Sequence, residues 1–386
     1  LGEPWGVAPV VAVFNLRIAG AEVRLEREVV YRQRSQIEGE VRRPLRAVPL
    51  VEISVEPDLL LWPQASSNQR QIEVVVRSHS LNPLRGRLEL RSDVDWLGRP
   101  AQELDISEPK GMQVLRFPVG PPGDGHHGRV DVRAVAVLED GQEMAASYPV
   151  ISYPHIRRVS APRKAEIEIQ TLDLRLPPVD RIGYIRGASD RVPEILSEIG
   201  LPVEMLDATV LGSGDLAVYD AIVVGSRAYE TDPILAELNS RLIDYVRRGG
   251  LLVVQYQQYQ FVRGGYAPVE LEIDRPHGRV TDEAAPVDVL APEHPVFRYP
   301  NRISEADWQD WVQERGLYFA SRWDPSFTPL LSLQDEGREP ERGALLMAEI
   351  GDGVYIYTGL SFFRQLPAGV PGAIRLFVNL LSRESS

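Results

Sequence analysis

Residues 249–261 read GGLLVVQYQQYQF. A Gly-Gly pair followed by four consecutive apolar residues has the pattern of a short strand buried on both faces, as in a parallel sheet covered by crossover helices. An α/β enzyme holds its nucleophile or phosphate loop at the end of such a strand; here the strand runs into amides and phenols, Gln255, Tyr256 and Gln257. Outward from this stretch, RIGYIRG at 181–187 and AIVVG at 221–225 are runs of the same kind. Helical patterns separate them, DRVPEILSEIG at 190–200 and DPILAELNSRLIDYVRRGG at 232–250. Strand and helix alternating in this order predict a mostly parallel sheet with crossover helices.

Local signals place the helix ends. Ser189 or Asp190 is the expected cap of the first helix. Asp232 with Pro233 opens the second, and Arg247, Arg248 and Gly249 close it. Ile234, Leu238, Leu242, Tyr245 and Val246 form its expected core stripe. Further on, ALLMAEIGDGVYIYTG at 344–359 predicts a hairpin and PGAIRLFVNLLS at 371–382 an amphipathic helix.

The preceding half has a different texture. Runs such as VEISVEP, QIEVVVRS, GRLELRS and RVDVRAVAVL are short and rich in Val, Leu and Ile, with period-two alternation in several of them. Turn chemistry separates them at Asn82-Pro83, Gly120 to Gly123 and Asp140-Gly141. The expected organisation is a β segment of about two strands over 1–46, an immunoglobulin-like β-sandwich over 47–153, an extended connector with an edge strand over 154–178, and an α/β domain over 179–386.

Composition excludes whole classes of function. The 386 residues carry a formal net charge of -13, which repels phosphate backbones and anionic headgroups, so nucleic acid is not an expected partner. The basic cluster Arg157, Arg158, Arg163 and Lys164 reads as a solvated linker. No apolar run reaches the ~18 residues of a membrane span, so membrane association is expected only through a partner. Cysteine is absent, which removes disulfides, thiolate metal sites and every cysteine nucleophile. The chain opens on Leu1 with no signal peptide, the expectation for a mature form or a fragment.

Three strand ends fall where ligands bind in an open α/β sheet: 186–190, 225–229 and 255–257. The Gly187-Ala188-Ser189-Asp190 turn lacks the glycines of a phosphate fingerprint. Ser226 lacks the flanking glycines of a nucleophile elbow, and its candidate base, His294, adjoins a proline in loop-like sequence, as does His277. His126 and His127 sit in a Gly/Pro-rich loop, and no spacing matches a metal motif. Asp282 with Glu283 reads as a solvated loop, and Asp307 with Asp310 as a solvated helix face. No cofactor and no metal are expected. Trp308 and Trp311, three apart, share a face if helical. Core packing or a groove for a sugar ring or a partner's side chain are the two readings of that pair. The candidate ligand- or partner-binding residues are therefore Gln255, Tyr256, Gln257, Arg227, Tyr229, Trp308 and Trp311.

RIGYIRGASDRVPEIL, YDAIVVGSRAY, RLIDYVRRGGLLVVQYQ, DWVQERGLYFASRWDPSFTPLLS and YTGLSFFRQLPAGVPGAIRLFVNLLS together resemble the C-terminal region of long bacterial proteins of the PIG-L (LmbE-like) deacetylase family. RRPLRAVPLVEISVEP resembles the β-sandwich that precedes that region. The resemblance implies a class I glutamine amidotransferase-like (flavodoxin-like) fold for the α/β domain and a periplasmic or extracellular location. It also implies an N-terminal zinc-dependent deacetylase domain with a His-Pro-Asp-Asp motif, which this sequence lacks. No catalytic residue carries over. The expectation is a non-catalytic binding or scaffolding subunit that contacts a larger protein assembly or a glycan; the alternative is the accessory half of a secreted N-acetylglucosamine-type deacetylase.

Overall fold

The computed structural model describes residues 8–37, 39–45, 48–122, 128–153, 155–156 and 159–383. His126, His127, Arg157 and Arg158 lie outside the described residues. The chain is β-rich and divides into two units: Leu1–Asp58, Gln69–Gly120 and Val130–Glu168 in one, Leu59–Asn68, Pro121–Arg129 and Ile169–Ser386 in the other. Among the described residues no helix is long and apolar enough to cross a membrane.

The first unit opens with two hairpins where about two strands were expected. β1 (Val11–Ile18) pairs with β2 (Ala21–Glu28), and β3 (Val30–Ser35) with β4 (Gly39–Pro44). The first reversal is made by Ala19 and Gly20 alone, both at positive φ. A two-residue hairpin turn needs that backbone, and the sequence signals it with a single glycine. On β1, Phe14, Leu16 and Ile18 share a face and stay exposed.

Two antiparallel sheets follow, each burying one face. β5 (Val51–Glu56), β7 (Arg70–Ser78) and β10 (Met112–Val119) form the first, with β6 (Leu59–Pro63) falling in the other unit. β8 (Leu84–Arg91), β9 (Ala101–Ile106) and β11 (Gly128–Leu138) belong to the second. Ile72, Val74 and Val76 of β7 and Leu88 and Leu90 of β8 are fully buried, while their alternating neighbours are not. β12 (Glu166–Leu172) corrects the expectation of an edge strand: Ile167, Ile169 and Leu172 are buried, as are the polar Gln170 and Thr171.

The second unit holds a seven-stranded sheet. Its strands are β13 (Ile182–Ile185), β14 (Val203–Met205), β15 (Ala221–Val224), β16 (Leu251–Gln255), β17 (Thr328–Pro329), β18 (Leu345–Ile350) and β19 (Gly353–Thr358), in the order β14-β13-β15-β16-β19-β18-β17. The first five are mutually parallel; β18 and β17 are antiparallel additions. Every residue of β13, β15 and β16 is buried, as the continuous apolar runs predict. Period two sends alternate side chains to opposite faces. Tyr184, Val223 and Val253 meet α1 (Val192–Glu198) and α3 (Pro371–Leu380), whereas Ile185, Ile222, Val224 and Val254 meet α2 (Pro233–Arg247).

The helices differ from expectation in two details. Ile234 is 42% exposed, and the buried stripe of α2 runs through Leu235, Leu242, Tyr245 and Val246. α3 is buried nearly all round, because its polar Asn379 donates to Val296 O and Asn301 O instead of facing water. The expected caps of α2 are present: Asp232 accepts from Ile234 N, and Gly249 follows at positive φ.

Candidate functional site

In an open parallel sheet the ligand crevice lies outside the carboxyl ends of the strands, where the strand order reverses. Here the reversal falls between β13 and β15, and the loops that follow them are packed backbone on backbone. Gly225 N donates to Ile185 O at 2.8 Å and Ala188 N to Ser226 O at 2.9 Å. A Cβ at Gly187 would fall inside the backbone of Ser226, and one at Gly225 would overlap the Asp190 carboxylate. Both positions therefore require glycine.

Asp190 fills what remains. Only 4% exposed, it accepts through Oδ2 from Tyr184 Oη (2.8 Å) and Gly187 N (3.1 Å) and through Oδ1 from Val192 N (3.0 Å). The cap position of α1 is Arg191, with no side-chain cap bond, so Asp190, expected as the cap, lies one residue before it and acts as a plug. Burial raises its pKa above the usual carboxylate range, against the three donated hydrogen bonds and nearby Arg186, which lower it. Burial and the Asp190 charge push the Tyr184 phenol up, so it stays a donor.

The amide donors at the end of β16 are satisfied inside the protein, while the buried Gln255 Oε1 has no hydrogen-bond partner. Gln255 Nε2 donates to Tyr184 Oη at 2.8 Å. Gln257, fully buried, donates to Gly225 O (2.8 Å) and Gln255 O (2.9 Å) and accepts from Tyr229 N (3.2 Å). Tyr229 is buried between Phe261 and Tyr266, with centroids 5.0 and 4.9 Å away, and its hydroxyl donates to Asn239. Ser226 is fully buried and its Oγ has no hydrogen-bond partner. The Ser226/His294 pair does not form, since His294 Nδ1 accepts from Val296 N at 3.3 Å, capping a short turn.

The two tryptophans sit elsewhere, in the core beside α3. Trp308 and Trp311 are 8% and 3% exposed with ring centroids 5.8 Å apart. Trp308 ends a 3-10 turn, Glu305–Trp308, and Trp311 lies beyond it, so the pair meets without the expected helix. Asp307 is not on a solvated face: it accepts from Ser304 N and Oγ at 2.8 and 2.9 Å and pairs with Arg375. Arg315, also buried, donates to Ala285 O and Trp308 O, and burial pulls its pKa down to about 10.

What the sequence did not reveal is a stack of rings on the same carboxyl edge. Tyr318 lies between Tyr256 (5.7 Å, 12°) and His277 (3.8 Å, 11°), and Tyr259 meets it edge-on at 5.5 Å. Phe363 closes on Tyr256 at 5.2 Å, and Tyr259 Oη is 3.3 Å from His277 Nδ1. Arg227, paired with Glu230, and Tyr318 both adopt the left-handed backbone, at φ 60° and 54°. Side chains in that conformation are uncommon and are held by their surroundings. Of the predicted residues, Gln255, Tyr256, Gln257, Arg227 and Tyr229 come together here; Trp308 and Trp311 do not join them.

Among the described residues no three His, Asp or Glu side chains converge in a metal-binding group. A cavity of about 490 Å³ opens at the opposite, amino end of the strands, beside Asp220, Tyr245, Arg248 and Arg383.

No protein-family model matches the chain, and no curated protein matches it. Among solved structures it is similar to the CARDB domain of the PF1109 protein from Pyrococcus furiosus, at 12% identity over 31% of this chain and 91% of that one, TM-score 0.21. It is also similar to a β-galactosidase from Rahnella sp. R3, at 16% identity over 54% of this chain and 32% of that one, TM-score 0.31. An exo-β-1,4-mannosidase from Opitutaceae bacterium strain TAV5 matches at 12% identity over 54% and 37%, TM-score 0.31. At such scores the likenesses carry no argument about function.

Proposed function

We propose that the chain is a non-catalytic binding or scaffolding module that works outside the cytoplasm and contacts a protein assembly or a glycan. Its α/β unit is, on this reading, a class I glutamine amidotransferase-like (flavodoxin-like) fold with no attacking group at the strand end, joined to an immunoglobulin-like sandwich. One observation carries the reading: Gln255 and Gln257 direct their amide donors to Tyr184, Gly225 and the local backbone, where a nucleophile would have to face a substrate. The parallel order of β14, β13, β15, β16 and β19 supports the fold assignment. A phenol with a pKa pushed up to about 12, as burial does to Tyr256, is no substitute for a thiolate.

The test is acetate release from N-acetylglucosamine oligosaccharides by the purified chain, with zinc present and absent. The reading requires no release above the protein-free rate; steady turnover would overturn it. The resemblance of the motifs at 42–57 and between 181 and 382 to that deacetylase family favours a second reading, the accessory part of a secreted deacetylase. A His-Pro-Asp-Asp motif upstream in the same reading frame would establish that one.

A further inference from the structure

On the ring-lined edge the cation of Arg275 is free of any ion pair among the described residues. Its guanidinium lies 4.1 Å from the centroid of the Tyr259 ring and is exposed. Three other arginines of this edge are committed, Arg227 to Glu230, and Arg279 and Arg364 to the two oxygens of buried Glu314. The ring beneath Arg275 is fixed by its edge contact with Tyr318 and its hydroxyl against His277. A guanidinium lying on an aromatic ring keeps its edge N–H groups free, and two parallel donors match the two oxygens of one carboxylate.

The surrounding groups are neutral hydrogen-bonding edges. Burial keeps the Tyr256 phenol protonated, and burial together with Arg279 holds His277 below its ordinary range, so the imidazole is uncharged near pH 7. Phenol and imidazole edges donate to and accept from hydroxyls. Asp274 adjoins Arg275 in the chain, and the Glu341 carboxylate packs against Gly278, so negative charge flanks the same loop and disfavours a multiply charged ligand.

We infer that Arg275, Tyr259, His277 and Tyr318 form a site for a sugar ring bearing a single carboxylate, a uronic-acid residue. This rests on the binding-module reading and names the ligand of its carboxyl edge.

The experiment is calorimetric titration of the full chain with a galactose trisaccharide in which one terminal residue is galacturonate, so that it carries one carboxylate, and in parallel with the neutral galactose trisaccharide and with acetate. Binding of the acidic sugar at least tenfold tighter than either control is expected. Arg275→Ala should weaken it at least tenfold, and Arg275→Lys should recover only part, because an ammonium lacks the planar fork. Arg275 is exposed, so both variants should keep the wild-type urea midpoint; His277→Ala gives an independent loss of affinity. Equal affinity for the neutral sugar, acetate binding as tightly as the trisaccharide, or indifference to Arg275→Ala would each overturn the inference. Failure of the acidic sugar while the chain binds a neutral glycan or protein overturns only this site, whereas turnover of any sugar overturns the binding reading beneath it.

Discussion

Replacing Asp190 by Ala should unpick the carboxyl edge. The carboxylate accepts from Tyr184 Oη, Gly187 N and Val192 N in a place that is 4% exposed. Each buried donor left without a partner costs about 1–3 kcal/mol. The loss is offset in part, because burial disfavours the ionised carboxylate, as its raised pKa records. The net cost should be about 2–4 kcal/mol, a large share of the ~5–15 kcal/mol that holds a domain folded. Urea denaturation should show a lower midpoint with an unchanged slope. Hydrogen exchange at Ile182–Ile185 and Leu251–Gln255 should quicken, localising the loss to this sheet. A cost under about 0.5 kcal/mol would refute the plug. The pH dependence has a definite sign. A carboxyl whose folded pKa is raised adds stability that is complete below its unfolded value near 3.8 and is lost as pH rises through the folded value. The wild-type advantage over Asp190→Asn should therefore shrink as pH climbs from 4, and an advantage that grew would contradict the burial cause.

Ser226→Ala should leave stability within about 0.5 kcal/mol or raise it slightly by denaturation, since its Oγ has no partner to lose. Gly187→Ala should cost about 2 kcal/mol or more in the same assay, because the obstructing atoms are Ser226 backbone, which cannot swing aside. Asp307→Ala should cost about 2–4 kcal/mol in thermal unfolding, as it strands Arg375, which is 22% exposed, and uncaps Ser304.

The parallel strands were legible because a strand covered on both faces leaves an unbroken apolar run, and 182–185, 221–224 and 251–254 are such runs. The caps of α2 were legible because Asp232, Pro233 and Gly249 act through their own backbone. Long-range pairing was not legible. Asn379 looks like a solvent-facing residue until Val296 and Asn301 arrive from a segment about 80 positions earlier. Asp307 looks solvated for the same reason, its partner Arg375 being in α3. The run at 255–257 marked the place of the candidate site, yet its exposed cation, Arg275, and the half-buried rings of His277 and Tyr318 come from segments that nothing near Tyr256 in sequence announces.

The most direct measurement is peptide mapping after exposure of the folded chain to a fluorophosphonate, which bonds irreversibly to activated serine hydroxyls. An edge furnished for packing and recognition leaves Ser226 unmodified at every pH from 6 to 9. Stoichiometric labelling of Ser226, abolished by Ser226→Ala and by prior unfolding, would show a working nucleophile there and contradict the account.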